Sequence, residues 1–148
     1  HYKALQIHKS LGRKMAEGVE LSLLAEAHMR IQNWSEAESF FADSIPILKV
    51  HHPAFCGVSM MGLVWMRAKK GLPAEYDFEQ AFALSKTRID TKVRMLVYAG
   101  FYHIECDDFA SAQLALNLSE TALKESGLDS KPFWKTLISP LQNELTKT

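Results

Sequence analysis

The sequence predicts an all-α protein on three observations. Apolar and ring-bearing residues recur at three- and four-residue spacing, as in Leu21, Leu24, Ala25 and His28, or Leu114, Leu118 and Ala122, which gathers them on one face of a helix. Long stretches rich in Ala, Leu, Met, Glu and Lys, the strong helix formers, are interrupted by only 7 glycines and 5 prolines. Runs of β-branched residues with period two, the mark of strands, are absent.

Breakers divide the chain into helices joined by short turns. Gly12 closes a first helix that begins near Lys3. A second runs from Met15 to Ile31 and stops at Gln32-Asn33. Ser35 is expected to cap the third, with Glu36 in its first turn, and Pro46 to bend or end it. Pro53 opens a fourth that stops at Lys70-Gly71, and Pro73 starts its successor. Asp90 or Thr91 begins the next, which ends near Asp107. Asp108 caps the one after, closed by Gly127. Asp129 or Ser130 caps a terminal helix with Pro132 in its first turn.

The 148 residues suit one domain or a short repeat array, and 47% hydrophobic residues supply a sizeable core. The 17 basic and 17 acidic residues cancel, so the basic excess of a nucleic-acid or membrane-surface binder is missing. The densest basic cluster, Arg67, Lys69 and Lys70, reads as the solvated end of a helix. No apolar run approaches the roughly 20 residues of a membrane span. Cys56 and Cys106 are too few for a disulfide framework, and are expected as small buried side chains in a reducing, cytoplasmic setting. The chain opens at His1, so it is expected to be a piece of a longer protein.

Self-similarity at a fixed period marks stacked helix pairs. The small residues Ala25, Gly62 and Gly100 stand 37 and then 38 positions apart, and the ring-bearing His28, Trp65 and His103 keep the same interval. So do Ala37, Ala74 and Ala112, the apolar Phe41, Phe78 and Leu116, the small Ser44, Ala81 and Ser119, and the apolar Leu21, Val58 and Leu96. Two helices approach closely only where both carry small side chains, so Ala25 against Ala37 and Gly100 against Ala112 are expected crossings.

At these residues the chain resembles the tetratricopeptide repeat family. Leu24-Ala25, His28, Trp34, Glu36-Ala37, Phe41 and Ser44 match in order the family's Leu-Gly, Tyr, aromatic, Glu-Ala, Phe and Ala signature. Ala99-Gly100, His103, Phe109, Ala112 and Ser119 form a second match. The middle unit keeps Gly62, Trp65, Gly71, Ala74, Phe78 and Ala81 but lacks the turn aromatic. The period exceeds the family's usual ~34 residues. Longer-period arrays of this look occur in bacterial multidomain regulators, and Leu11-Gly12-Arg13, Glu17-Gly18 and Leu24-Ala25 are similar to that subgroup. The resemblance implies a right-handed α-solenoid of about three helix pairs in a single domain, 1–148. Its units would be a preceding repeat's helix at 3–12, repeats at 18–50, 53–88 and 90–127, and a capping helix at 129–147.

In such arrays the first helix of each pair lines an inner groove. The registers turned away from the partner helix hold Ser22, Glu26, Met29 and Arg30, then Ser59, Leu63, Met66 and Arg67, then Val97, Phe101, Ile104 and Glu105. Apolar residues flanked by charge suit a protein or peptide partner laid in a groove, unless another helix, such as the terminal one, already covers them. Arg30 and Arg67 share a register and are expected to face the same way. The family's carboxylate clamp of Lys and Asn is missing, since Ser22, Glu26, Met60 and Tyr98 occupy its positions.

Other chemistry is weakly indicated. His51-His52, or His103 with Cys106, lacks the paired spacing of a zinc site, and His28 and His103 are expected as packed rings. No Gly-rich phosphate loop or nucleophile elbow occurs. The expectation is therefore a protein–protein interaction scaffold with no catalytic residues, metal or cofactor, serving as the regulatory part of a larger protein. A ligand- or peptide-sensing domain of a bacterial transcription or signalling protein, or a module for homo-oligomerisation, is the alternative.

Overall fold

Local capping chemistry sets where the helices begin and end. The structure, a computed structural model, describes residues 14–72 and 77–147. Seven helices cover most of them, and no strand occurs among the described residues. They are α1 (Lys14–Arg30), α2 (Trp34–His51), α3 (Pro53–Lys69), α4 (Phe78–Ser85), α5 (Ile89–Glu105), α6 (Phe109–Glu125) and α7 (Pro132–Thr146). The expected helix at 3–12 and the column residue Ala74 lie outside the described residues.

One turn recurs four times. Gln32, Gly71, Asp107 and Gly127 all adopt a left-handed backbone, with φ of 64°, 70°, 59° and 69°. In each case the next amide reaches back to a helix carbonyl: Asn33 to His28 at 2.9 Å, Leu72 to Arg67 at 3.0 Å, Asp108 to His103 at 2.8 Å and Leu128 to Leu123 at 2.8 Å. These bonds satisfy carbonyls that a helix end otherwise leaves open.

Starts are more varied. Asp108 caps α6 by accepting from the Ser111 amide at 3.1 Å, and Pro53 occupies the first turn of α3 beneath His52, whose Nδ1 accepts from the Phe55 amide at 3.2 Å. Three expectations are corrected. Asn33, not Ser35, precedes α2. The expected helix start at Pro73 lies outside the described residues; α4 begins at Phe78, where the Asp77 carboxylate accepts from the Gln80 amide at 2.9 Å. Lys131 rather than Asp129 or Ser130 precedes α7, although Pro132 does open it. Pro46 does not end α2; its ring removes one hydrogen bond, while buried Ser44 and Leu48 on either side anchor the neighbouring turns.

Each helix packs on the next, and α1, α3, α5 and α7 also pack on one another in turn, so that α1, α2 and α3, then α3, α4 and α5, then α5, α6 and α7 form successive triangles. Among the described residues α2, α4 and α6 do not pack on one another. The helix α5 is buried on nearly every side from Val93 to Gly100, because it serves two cores. Met95, Leu96, Tyr98 and Ala99 join a cluster built with α1 to α4. Val93 and Val97 join a second with α6 and α7.

Gly62 and Gly100 mark close approaches between helices, as expected of them. A Cβ on Gly62 would lie 2.4 Å from the Phe41 ring of α2, and one on Gly100 would lie 2.6 Å from Leu141 of α7. The open side of Gly100 thus faces α7 rather than Ala112 of its own pair. Ala25, Ala37 and Ala112 are fully buried. Ser44 and Ser119 each return a hydroxyl bond to the carbonyl three residues earlier, at 2.7 Å, which lets a polar side chain sit at a crowded crossing.

Candidate functional site

A cleft of about 460 Å³ opens along one side of α1, α3, α5 and α7. Its floor is aromatic: Trp65 of α3 stacks on Phe101 of α5 with ring centroids 4.7 Å apart and planes 6° from parallel. Such a pair adds about 0.5–1.5 kcal/mol beyond its buried area. Met29 of α1, Val97 and Ile104 of α5, and Leu137 and Pro140 of α7 extend the apolar lining. Residues from the last turns of α1, α3, α5 and α7 (Arg30, Lys69, Glu105, Glu144) meet at one rim, so these four helix ends lie on the same side.

Beneath the cleft a buried polar group joins helices distant in sequence. The Tyr98 hydroxyl donates to Glu26 Oε1 at 2.5 Å. Burial first, and then the Glu26 carboxylate, push the Tyr98 phenol well above its ordinary value of 10.0, which keeps it a donor. Arg30 reaches Glu26 Oε2 at 3.4 Å. Arg94 Nε lies 3.5 Å from Oε1, close enough for ion pairing but without hydrogen-bond geometry, so this nitrogen has no acceptor. Its guanidinium lies over the rings of Phe133 at 5.1 Å and Phe55 at 5.9 Å. Trp65 Nε1 is the other buried side-chain nitrogen without an acceptor among the described residues. Leaving such a donor unpaired costs about 1–3 kcal/mol.

The rim charges are unequally engaged. Lys69 pairs with Glu105 at 2.6 Å and lies 5.0 Å from the centre of the Trp34 ring. Its neighbours turn outward: Lys70 and Arg67 contact Glu38 of α2 at 2.7 and 3.3 Å. The Lys70 hydrogen bond, aided by Arg67, holds the Glu38 carboxyl below its ordinary range despite partial burial. The basic cluster thus lies at the solvent-facing end of α3, as read from the sequence, and each of its members is ion-paired there.

The expected groove residues divide. Glu26, Met29 and Arg30 of α1 and Val97, Phe101, Ile104 and Glu105 of α5 do line the cleft. The α3 set does not. Ser59 and Met66 are fully buried, and Leu63 and Arg67 line a separate depression of about 260 Å³ with Ile45 and Gln80. Ser22 of α1 is also buried, joined through the Ser59 hydroxyl at 3.0 Å to Ser44 at 2.7 Å. Arg30 and Arg67 consequently do not face the same way. From the expected Met66 to the observed Trp65 the presented face differs by one residue, about 100°, and the indole takes the open side against Phe101. Sequence reasoning missed Trp65, Lys69 and Tyr98 as cleft residues. The ring column already held Trp65, but it was assigned to a pair's interior. The α7 wall, formed by Thr136, Leu137, Pro140 and Glu144, was foreseen only as a cover.

The remaining candidates take these positions. His28 lies 3.2 Å from Glu36 and stacks on Phe40; His103 lies 3.9 Å from Asp108. Both are largely buried rings beside the acidic start of the following helix. Cys56 is buried but Cys106 is exposed, because it ends α5 where the chain turns toward solvent. Among the described residues no group of three or more His, Cys, Asp or Glu is placed to hold a metal, and no helix is long and apolar enough to cross a membrane. Comparison with family models, curated proteins and solved structures found no match to this chain.

Proposed function

We propose that the chain is a peptide-binding module of the tetratricopeptide type, whose helix pairs α1–α2, α3–α4 and α5–α6 stack in one direction as a right-handed solenoid with α7 as the cap. The contact order supports the stacking, since each helix packs only on its two nearest successors and predecessors in the chain. The capping role of α7 is supported by its polar side away from the core: Trp134, Leu137, Ile138, Leu141 and Leu145 are buried, whereas Lys135, Asn143 and Lys147 are exposed. On this reading the chain is the regulatory, non-catalytic part of a larger protein.

The single observation that carries the binding role is the cleft with its stacked Trp65–Phe101 floor. Concave, mostly apolar sites of about 300–1,000 Å³ with a few charges at the edge are the usual form of ligand sites. A peptide array probed with the chain and with Phe101→Ala tests this. The parent should bind a subset of peptides that the variant loses, while Leu114→Ala on the exposed side of α6 changes nothing. Equal binding by parent and Phe101→Ala sinks the assignment.

A further inference from the structure

The two rim charges with spare capacity stand on opposite walls of the cleft. On α1, Arg30 has a half-exposed side chain (53%), and its carboxylate partner is already shared. Glu26 receives the Tyr98 hydroxyl and faces Arg94 as well, so most of the five guanidinium N–H donors of Arg30 remain available. On α7, Glu144 is 46% exposed and meets only Lys147, at 3.2 Å and three residues on, an exposed pairing of little strength. Between them Lys69 and Glu105 neutralise each other at 2.6 Å. The rim therefore runs from positive at α1, through a neutral bridge, to negative at α7.

We infer that the cleft takes a peptide segment with a large apolar side chain on the Trp65–Phe101 floor, an acidic group toward Arg30 and a basic group toward Glu144. Charge complementarity selects the polarity. A carboxylate at Arg30 gains a planar, two-toothed contact, and the same carboxylate beside Glu144 is repelled. The inference rests on the cleft being a peptide site, and adds which peptides it accepts.

A random heptapeptide display library panned against the full 148-residue chain tests it. Enriched sequences should carry an aromatic or large aliphatic residue between an acidic and a basic one. Their affinity should fall at least fivefold with Arg30→Gln or Glu144→Gln, and should weaken as salt rises. Both substitutions are at half-exposed tips, so folding is not at stake. Enriched peptides with an apolar signature, no charge preference and unchanged affinity for Arg30→Gln overturn the polarity while leaving the peptide-binding reading intact. Absence of enrichment over blank support, or binding indifferent to Phe101→Ala, overturns both. Concentration-dependent dimerisation abolished by Arg30→Gln identifies a second copy as the occupant and equally overturns the inference.

Discussion

The Tyr98 hydroxyl donates to Glu26 across 72 positions of sequence, tying α5 to α1 although the two helices share no backbone-level packing. Tyr98 also meets Trp65 of α3, with ring centroids 5.8 Å apart, so one side chain touches three helices. Tyr98→Phe removes the donor and leaves a buried carboxylate with only Arg94 and Arg30 at 3.4–3.5 Å. The expected loss is about 1–3 kcal/mol, read as a lower urea midpoint with an unchanged m-value. A variant as stable as the parent counts against a closed bond.

Gly62 is required by the Phe41 ring. A methyl group there would sit 2.4 Å from Cζ, so Gly62→Ala should overpack the α2–α3 crossing and cost about 1–3 kcal/mol. Phe41→Leu in the same chain should recover part of that loss, because it removes the atoms that collide. Additive losses in the double variant, measured by thermal unfolding, would show that the two sites do not meet.

Stability should depend on His103 below neutrality. Burial lowers its pKa from the ordinary 6.5, opposed by Asp108, so the folded state binds its proton less readily than the unfolded chain. Stability is then full above pH ~6.5, falls as pH drops from there to the lowered folded pKa, and levels below it. His103→Gln should flatten that part of the curve relative to the parent in urea titrations at stepped pH. An identical slope in both would refute the assignment.

The two thiols should differ in reactivity. Cys106 is exposed, whereas Cys56 is buried, and burial raises its thiol pKa further from neutrality. Since the thiolate is the reactive form, a disulfide reagent should label one thiol per native chain rapidly and the second only on unfolding. Two fast equivalents, or loss of the fast phase in Cys56→Ser rather than Cys106→Ser, contradict the packing around α3.

Much of the helix layout was legible because its causes are local. The left-handed residues at Gly71 and Gly127, the Asp108 cap and Pro53 at a helix start all act within about four residues of themselves. The expectations that failed share a different origin. Pro46 carries a breaking signal that neighbouring buried residues override, and Ser35 lost its capping place to a chain that turns two residues earlier, at Asn33.

By itself, then, the sequence determined that the chain is helical, where most helices end, and which small and ring-bearing positions repeat every 37 or 38 residues. Tertiary structure alone decided which side of α3 faces the cleft, that Glu26 would meet Tyr98, and that α7 would wall the site. The physical reason is that a helix's hydrogen bonds reach four residues, while its rotation is set by side chains on other helices. One residue of rotation turns the exposed face by about 100°, and on α3 it is Trp65 and Lys69, not Met66 and Arg67, that line the cleft.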